Sequence, residues 1–226
     1  GSGMIAPNMA TMLCFLTTDA DVDSNLLHEA LLSVVGDTFN MMTIDGDTST
    51  NDMLVILANG AAGNKKVTAK DSDYKTFVGA LKELCTTISR HLAADGEGAT
   101  KLLECRVAGG ASEKDAKLAA KAVVSSALVK SAMFGADANW GRVLCAIGYS
   151  GAAVDVKGVD VSFSSSAGCI EVCKDGAGIP FSEEQAKEIL AQDAIVIDIC
   201  LHDGEASAVA WGCDLTYDYV KINGDY

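Results

Sequence analysis

Short apolar runs alternate with capped amphipathic segments along most of this chain, and this alternation constrains its fold more than any other feature. Apolar runs of about four to eight residues are typical of buried strands, whereas apolar residues spaced three and four apart are typical of helices. A chain that mixes the two element types buries them as layers of helix against sheet. The alternation therefore predicts an α+β protein.

Helix signals dominate the first half of the sequence. Asp23 and Ser24 precede an amphipathic segment that ends at Gly36. Ser112, with Asp115 three residues later, has the spacing of a capping box. These signals predict helices over residues 24–36, 72–92 and 113–133. The apolar runs between them predict strands over residues 12–16, 41–44, 53–58 and 100–107.

The second half is richer in strand signals. Apolar runs predict strands over residues 142–149, 159–163, 170–174, 194–201, 206–211 and 216–222. One helix interrupts them, opened by Ser182 with Gln185 as its paired cap residue. Turn signals at residues 174–176 and 202–204 favour antiparallel hairpins. We expect one fold unit with a change of topology near residue 145, although two lobes meeting there fit the same element order.

Charge and cysteine usage exclude several classes of function. The formal net charge is -14, with no basic patch, so nucleic acid and anionic membranes are poor partners. No apolar run reaches the roughly eighteen residues of a membrane span, and we find no secretory leader. The eight cysteines form no CxxC motif, and the three histidines lack ligand spacing. We therefore expect no metal, and free thiols in a reducing compartment.

The first thirteen residues, GSGMIAPNMATML, have the layout of a self-cleaving segment. Thr11 follows Ala10 and precedes an apolar run, and the glycines and proline of residues 1–8 can hold strained backbone. The Thr11 hydroxyl would attack the carbonyl before it, and cleavage would leave the α-amine of Thr11 beside its own hydroxyl as a base. An expression tag before an initiator methionine looks similar, and the residues alone leave both interpretations open.

Five blocks of sequence resemble the ornithine acetyltransferase (glutamate N-acetyltransferase) family of bifunctional arginine biosynthesis proteins. They occur in the family's order and span nearly all 226 residues, which makes the first ten residues native sequence. The blocks are GSGMIAPNMATML at 1–13, DGDTSTND at 45–52, DGEGATK at 95–101, FGADANWGR at 134–142 and YVKINGDY at 219–226.

The resemblance implies a layered α/β/β/α sandwich with much antiparallel sheet. It implies that residues 1–10 precede the cleavage point and that residues 11–226 form the β subunit. An upstream α subunit from the same precursor would complete a cytoplasmic α2β2 heterotetramer. Thr11 would take the acetyl group from N2-acetylornithine and pass it to glutamate. No cofactor is implied, although some family members also accept acetyl from acetyl-CoA.

The resemblance also implies two substrate-contacting residues, Glu97 and Asn223. From the residues alone, Glu97 between two glycines is a loop carboxylate and Asn223 a turn residue near the end of the sequence. The family's oxyanion donors belong to the upstream half. The acidic block 45–52 lacks an EF-hand glutamate and is either a hydrogen-bonded wall of the site or a structural loop. Asp137, Asn139 and Arg142 are expected to fix a tight strand entry, with direct contact to the substrate as the alternative.

Two other functions fit the same residues. An N-terminal-nucleophile amidohydrolase or aminopeptidase would use water as the acceptor, and it would release ornithine without forming acetylglutamate. A binding or structural module would never expose Thr11, so the Ala10–Thr11 bond would stay intact in the full-length protein. Analysis of the N-terminus of the downstream fragment separates this last alternative from the other two.

Overall fold

The computed structural model of this chain describes residues 12–47 and 52–225. Ala10 and Thr11, together with residues 48–51 of the acidic block, lie outside the described residues. The helices are α1 (Ser24–Val35), α2 (Ser72–Ala94), α3 (Glu113–Ser125), α4 (Ala127–Phe134), α5 (Trp140–Gly148), α6 (Glu183–Leu190) and α7 (Tyr217–Gly224). The strands are β1 (Leu13–Thr18), β2 (Met53–Ala58), β3 (Leu102–Gly110), β4 (Asp160–Ser165), β5 (Gly168–Lys174), β6 (Ala177–Gly178), β7 (Ala194–Cys200) and β8 (Ala206–Cys213).

Six strands form a mixed sheet in the order β6-β5-β4-β7-β3-β8. β3 is parallel to β7, whereas its other neighbour β8 and the pairs β4–β5, β4–β7 and β5–β6 are antiparallel. β1 and β2 form a separate parallel pair in which Leu13 lies opposite Met53. The α+β class with much antiparallel sheet is confirmed.

Helices cover both faces of the sheet where β3 and β8 pair. On one face α3 packs so closely that a Cβ added at Gly212 would lie 3.1 Å from the Cβ of Val124. On the other face Glu104 accepts a hydrogen bond from Arg90 of α2 at 2.5 Å. Because successive residues of a strand point to opposite faces, these contacts place the two helices in separate layers. The division into one unit or two lobes near residue 145 stays a prediction.

Most helix signals in the first half are confirmed. Asp23 caps α1 by accepting from the amides of Asn25 and Leu26, and the helix ends at Gly36. The predicted helix over 113–133 is wrong in one respect, since Ser126 has extended backbone and separates α3 from α4. The predicted strand over 41–44 is also wrong. Met41 is the last residue of a short 3-10 helix, and the residue after it, Met42, forms an isolated bridge with Trp211.

Two predicted strands of the second half are helices. Residues 142–148 belong to α5 and Tyr149 is its C-cap, because Asn139 caps the start of the segment and the buried Val143, Ala146 and Ile147 follow helical spacing. Residues 216–222 belong mainly to α7, which Thr216 caps by accepting from the Tyr219 amide at 3.2 Å. Short apolar runs do not by themselves distinguish the two element types.

The two predicted hairpins have different outcomes. The turn at 174–176 joins the antiparallel strands β5 and β6, as expected. The hairpin predicted at 202–204 is wrong, because β7 and β8 lie on opposite sides of β3 and do not pair with each other. His202 takes a φ of 57° in this connection. The turn signal therefore predicted correctly that the chain reverses direction between β7 and β8. It did not show that β3 lies between these two strands.

Candidate functional site

Glu97 and Asn223 are joined by a hydrogen bond although 126 positions separate them in the sequence. The Nδ2 of Asn223 donates to Oε2 of Glu97 at 2.8 Å and to the carbonyl of Tyr219 at 3.0 Å. Glu97 lies half-buried in the loop between α2 and β3, and Asn223 is exposed in the last turn of α7. The structure thus brings together the two residues that the family resemblance assigns to the substrate.

Asp214 holds the Glu97 loop against the end of β8. Asp214 is 3% exposed, and its carboxylate accepts from the amides of Thr100 and Lys101 at 2.8 and 3.0 Å. It also accepts from the hydroxyl of Thr100 at 2.5 Å. A buried carboxylate is stable only when hydrogen bonds replace its hydration, and these three contacts do so. Asp214 therefore fixes the loop that presents Glu97.

A single hydroxyl links that loop to α7. Thr216 donates to the carbonyl of Gly98 at 2.6 Å and accepts from the amide of Tyr219. Gly98 has a φ of +64°, and a Cβ there would lie 2.6 Å from the nitrogen of Tyr219. The close approach and the positive φ both require glycine. The DGEG motif therefore serves docking of α7 as well as presentation of Glu97.

Carboxylates from two loops surround the hydroxyl of Tyr219. Its hydroxyl donates to the carboxylate of Asp45, and Asp47 and Glu97 lie close enough to act on it. Burial raises the pKa of the Tyr219 hydroxyl, and the three carboxylates raise it further. The acidic block thus contributes its first residues to the wall beside the Glu97–Asn223 pair. This negative surface favours a ligand that carries positive charge.

The last residue of the acidic block binds the start of β1. Oδ1 of Asp52 accepts from the amide of Met12 at 2.6 Å, and the amide of Met53 donates to the carbonyl of Met12 at 2.8 Å. Burial raises the pKa of the Asp52 carboxyl, and the Met12 amide partly offsets this. Thr11 itself lies outside the described residues, so its predicted role stays a prediction. Asp52 is nevertheless hydrogen-bonded to the residue next to it.

Sequence reasoning missed the individual roles of Asp52, Tyr219 and Asp214. Asp52 belongs to the acidic block, and its role depends on the pairing of β1 with β2, which no sequence signal predicts. Residues 137–142 fix a tight entry as expected, but to a helix and not to a strand. The side-chain Nδ2 of Asn139 donates to the carboxylate of Asp137 at 3.0 Å, and the guanidinium of Arg142 donates to the carbonyl of Leu128 at 2.9 Å.

A groove of about 580 Å³ lies elsewhere, between α2, α3 and the edge of β8. Its charged side chains are engaged with one another, since Asp37 accepts from Lys82 at 2.7 Å and from Lys117 at 2.6 Å. Neither Glu97 nor Asn223 lines it. We therefore place the candidate site at the Glu97–Asn223 pair. Within the described ranges, no cluster of His, Cys, Asp or Glu could hold a metal ion, and no helix is long and apolar enough to cross a membrane.

Comparison with known proteins shows which family this chain belongs to. The family model described as the ArgJ family matches residues 1–226. The chain belongs to the ArgJ family. The resemblance carried by the five blocks is thereby confirmed over the whole sequence. Glu97 and Asn223 lie in two of those blocks, and Thr11 and Asp52 lie in two others.

Individual ArgJ relatives match the whole chain. The arginine biosynthesis bifunctional protein ArgJ 1 of Clostridium acetobutylicum is 55% identical over 226 residues, which are 100% of this chain and 55% of the relative. ArgJ of Geobacillus kaustophilus is 53% identical over 100% of this chain and 54% of the relative. The chain thus spans about half the length of these curated relatives.

A solved structure confirms the fold. The crystal structure of arginine biosynthesis bifunctional protein ArgJ from Bacillus halodurans matches with a TM-score of 0.91 and 47% identity. The match covers 96% of this chain and 100% of that chain. The α+β arrangement described above is therefore that of a crystallised ArgJ chain.

Proposed function

We propose that this chain carries the nucleophile of an acetyltransferase of arginine biosynthesis. Thr11, freed by cleavage of the Ala10–Thr11 bond, takes the acetyl group of N2-acetylornithine and passes it to glutamate. The observation that carries this proposal is the hydrogen bond between Asn223 and Glu97, which unites the two expected substrate contacts. The names of the relatives, arginine biosynthesis bifunctional proteins, support the same pathway.

The reaction proceeds through an ester on Thr11. The hydroxyl oxygen of Thr11 attacks the acetyl carbonyl carbon while the neutral α-amine of Thr11 accepts the hydroxyl proton. The tetrahedral species collapses, the bond from carbon to the ornithine nitrogen breaks, and the ammonium returns the proton to that nitrogen. In the second half-reaction the same steps run in reverse, with the amino nitrogen of glutamate in place of the ornithine nitrogen. An α-amine has a pKa of about 8, so about a tenth of it is neutral at pH 7.

Glu97 supplies the charge for substrate binding in this proposal. Both ornithine and the incoming amino acid carry ammonium groups, and a carboxylate pairs with such a group through a charge-assisted hydrogen bond. Asn223 holds Glu97 at 2.8 Å through one oxygen. Asp45 and Asp47 add negative charge nearby, at Tyr219. The site therefore favours a cationic amino acid over an anionic one as the leaving product.

An upstream segment of the precursor is the expected partner, in an α2β2 assembly. The β1–β2 pair exposes large apolar side chains, with Leu13 66%, Phe15 59% and Leu57 56% exposed. A two-stranded parallel sheet with such a surface is not stable on its own, because parallel strands are normally covered on both faces. The relatives extend over about twice the length of this chain, which leaves ample sequence to cover it. The oxyanion donors would come from the same segment.

We expect no cofactor for this chemistry, with acetyl-CoA as the alternative acetyl donor in part of the family. The expected location is the cytoplasm. All eight cysteines are described as free thiols, which fits a reducing compartment.

The proposal is tested on the full-length precursor. Purified protein is incubated with N2-acetylornithine and glutamate, and ornithine, acetylglutamate and the acetylated Thr11 peptide are quantified by mass spectrometry. We expect equal amounts of the two products, ping-pong kinetics and an ester on Thr11. Ornithine without acetylglutamate would indicate a hydrolase instead, and an uncleaved Ala10–Thr11 bond in active protein would contradict the proposal.

Glu97→Gln is expected to lower kcat/KM for acetylornithine roughly 10- to 150-fold, which corresponds to about 1.5–3 kcal/mol for one charge-assisted contact. Glutamine still accepts the hydrogen bond from Asn223, so the fold of the loop is retained. The measurement is steady-state kinetics together with the thermal unfolding midpoint of the same samples. We expect the midpoint to stay within about 2 °C, because the half-buried carboxylate contributes little to stability.

Glu205→Gln is the matched control, since Glu205 is exposed in the connection before β8. We expect it to leave kcat/KM unchanged. If Glu97→Gln and Glu205→Gln had the same kcat/KM, Glu97 would be a loop residue without a role in substrate binding.

A further inference from the structure

A thiol, an imidazole and a carboxylate meet where β7 ends. Cys200 is the last residue of β7 and lies directly opposite Asp160, the first residue of β4. Directly opposed residues of two strands point to the same face of the sheet, so the register alone brings the thiol and the carboxylate together. His202 bridges them. Its Nδ1 is 3.6 Å from Sγ of Cys200, and its Nε2 is 2.8 Å from Oδ2 of Asp160.

The backbone is held in an uncommon conformation to place this imidazole. His202 has a φ of 57°, in the left-handed region that few residues other than glycine adopt. The residue before it is fixed because the amide of Leu201 donates to the carbonyl of Ala108 at 2.9 Å. The residue after it is fixed because the amide of Asp203 donates to the carbonyl of Gly109 at 2.7 Å. Strained backbone that its surroundings maintain is typical of functional sites.

Asp160 sets the direction in which the imidazole can pass a proton. Oδ1 accepts from the amide of Asp175 at 2.8 Å, and Oδ2 contacts His202. Burial raises the pKa of the Asp160 carboxyl, but these two hydrogen bonds, together with the positive charge of Lys174, outweigh burial, so the pKa lies below its usual value. An ionised carboxylate only accepts, so Nε2 of His202 carries a proton, and Nδ1 of the neutral ring is an acceptor. Nδ1 therefore faces the thiol as a base.

The triad formed by these three side chains is remote from the Glu97–Asn223 pair. β3 starts beside the Glu97 loop at Leu102, and its residue Ala108 lies opposite Cys200. The six residues from Leu102 to Ala108 span about 20 Å of strand. Since no cluster of His, Cys, Asp or Glu in the described ranges could hold a metal ion, the chemistry to consider at this second site is that of its thiol.

We propose that Cys200 is a peroxide-reactive thiol for which His202 is the base and Asp160 a positioning residue. Nδ1 of His202 takes the thiol proton while the sulfur attacks one oxygen of hydrogen peroxide. The sulfur–oxygen bond forms as the oxygen–oxygen bond breaks, and the imidazolium returns the proton to the departing hydroxide. The sulfur is oxidised to a sulfenic acid, and the peroxide is reduced to water. Nucleophile, base and orienting group follow the order of other activated nucleophiles.

The triad suits a peroxide better than a disulfide as the electrophile. Attack on a disulfide expels a thiolate, which leaves without a proton at a rate set by its own acidity. Attack on a peroxide expels hydroxide, a stronger base that needs a proton at once. The imidazolium of His202 holds that proton beside the reacting atoms. Its side chain is 54% exposed, so a small solute can reach it.

The experiment exposes purified full-length protein to hydrogen peroxide at pH 7 with dimedone, which traps sulfenic acids, and quantifies the adduct at each cysteine by mass spectrometry. Cys145 and Cys169 are the internal references, since both are exposed free thiols whereas Cys200 is partly buried. An ordinary thiol is a few per cent thiolate at pH 7, so activation should make Cys200 react roughly 10- to 30-fold faster than either reference. Cysteines that react by exposure alone would give the opposite order.

Variants of the two partners separate activation from exposure. His202→Gly suits the positive φ and removes the base, so the Cys200 rate should fall to that of the references, and added imidazole should restore part of it. Asp160→Asn still accepts from the amide of Asp175 but donates to His202, which reverses the tautomer and should lower the rate about 10-fold. Asp160→Glu keeps the carboxylate and should keep more of the rate than Asp160→Asn. His28→Gln, at an exposed position of α1, is the control and should match the wild type.

A Cys200 thiol that reacts no faster than Cys145 and Cys169 would overturn the proposal. So would an unchanged rate in both His202→Gly and Asp160→Asn, because access alone would then explain the reactivity. If glutathione disulfide modified Cys200 faster than hydrogen peroxide at equal concentration, the peroxide assignment would be wrong and the site would exchange disulfides. Thermal midpoints identify variants that lose the fold, and His202→Gln then replaces His202→Gly. The measurement needs no acetylornithine, so its outcome is independent of the proposed acetyl transfer.

Discussion

Thr11→Ala in the full-length precursor is expected to abolish both cleavage and acetyl transfer. The proposed chemistry has one nucleophile for both reactions, the hydroxyl of Thr11, and alanine has none. Losing the nucleophile of a covalent mechanism costs several orders of magnitude in kcat, on the order of the ~10⁶-fold loss for a serine protease. The measurements are N-terminal sequencing of the downstream fragment and the rate of acetylglutamate formation.

Two further variants at position 11 show whether the hydroxyl is responsible for cleavage and acetyl transfer. Thr11→Ser keeps the hydroxyl and the amine, so we expect it to cleave and to transfer acetyl. Thr11→Val keeps the shape of the side chain without the hydroxyl, so we expect it to behave as Thr11→Ala. A cleaved and active Thr11→Ala or Thr11→Val protein would exclude Thr11 as the nucleophile.

Asp214→Ala is expected to lower the free energy of unfolding by about 3–5 kcal/mol. The change leaves the amides of Thr100 and Lys101 and the hydroxyl of Thr100 without their buried acceptor. For a chain of this length the thermal midpoint should fall by roughly 6–20 °C. Differential scanning calorimetry of the full-length protein measures it. Activity should fall as well, because the Glu97 loop loses its attachment to the end of β8.

Asp203→Ala is the matched control for this prediction, since Asp203 is exposed. Its thermal midpoint should stay within about 2 °C of the wild type. A comparably small change in Asp214→Ala would mean that water replaces the carboxylate without cost, and the loop would then be held by its other contacts.

The sequence predicted elements whose ends carry their own chemical signals. Asp23 and Gly36 bound α1 where capping chemistry placed them, and Ser182 caps α6 by accepting from the amide of Gln185. The apolar and β-branched residues of 142–149 and 216–222 suit both element types, so the pattern predicts strands where the structure has helices. Helical structure is selected there by the side-chain caps of Asn139 and Thr216.

The candidate site was predictable only in part. Glu97 and Asn223 came from the family resemblance, and their contact depends on α7 docking at Gly98, which no periodicity reveals. Asp52 required knowledge that β1 and β2 are parallel and in register from Leu13 and Met53. Asp214 follows an apolar run, and nothing in the sequence distinguishes it from the other acidic residues of the chain. Such roles depend on long-range pairing, and local sequence carries little information about it.

The strand order also has a consequence for the timing of events during synthesis. β7, which follows β3 and β4 in the sequence, lies at the centre of the sheet between them. Pairings between residues as distant as Leu102 and Ala194 cannot form until β7 has been synthesised. The amide of Thr43, at the base of the acidic block, donates to the carbonyl of Trp211 in β8. We therefore expect the surroundings of Asp52 to assemble only after β8 has been synthesised, which delays any chemistry at the Ala10–Thr11 bond until then.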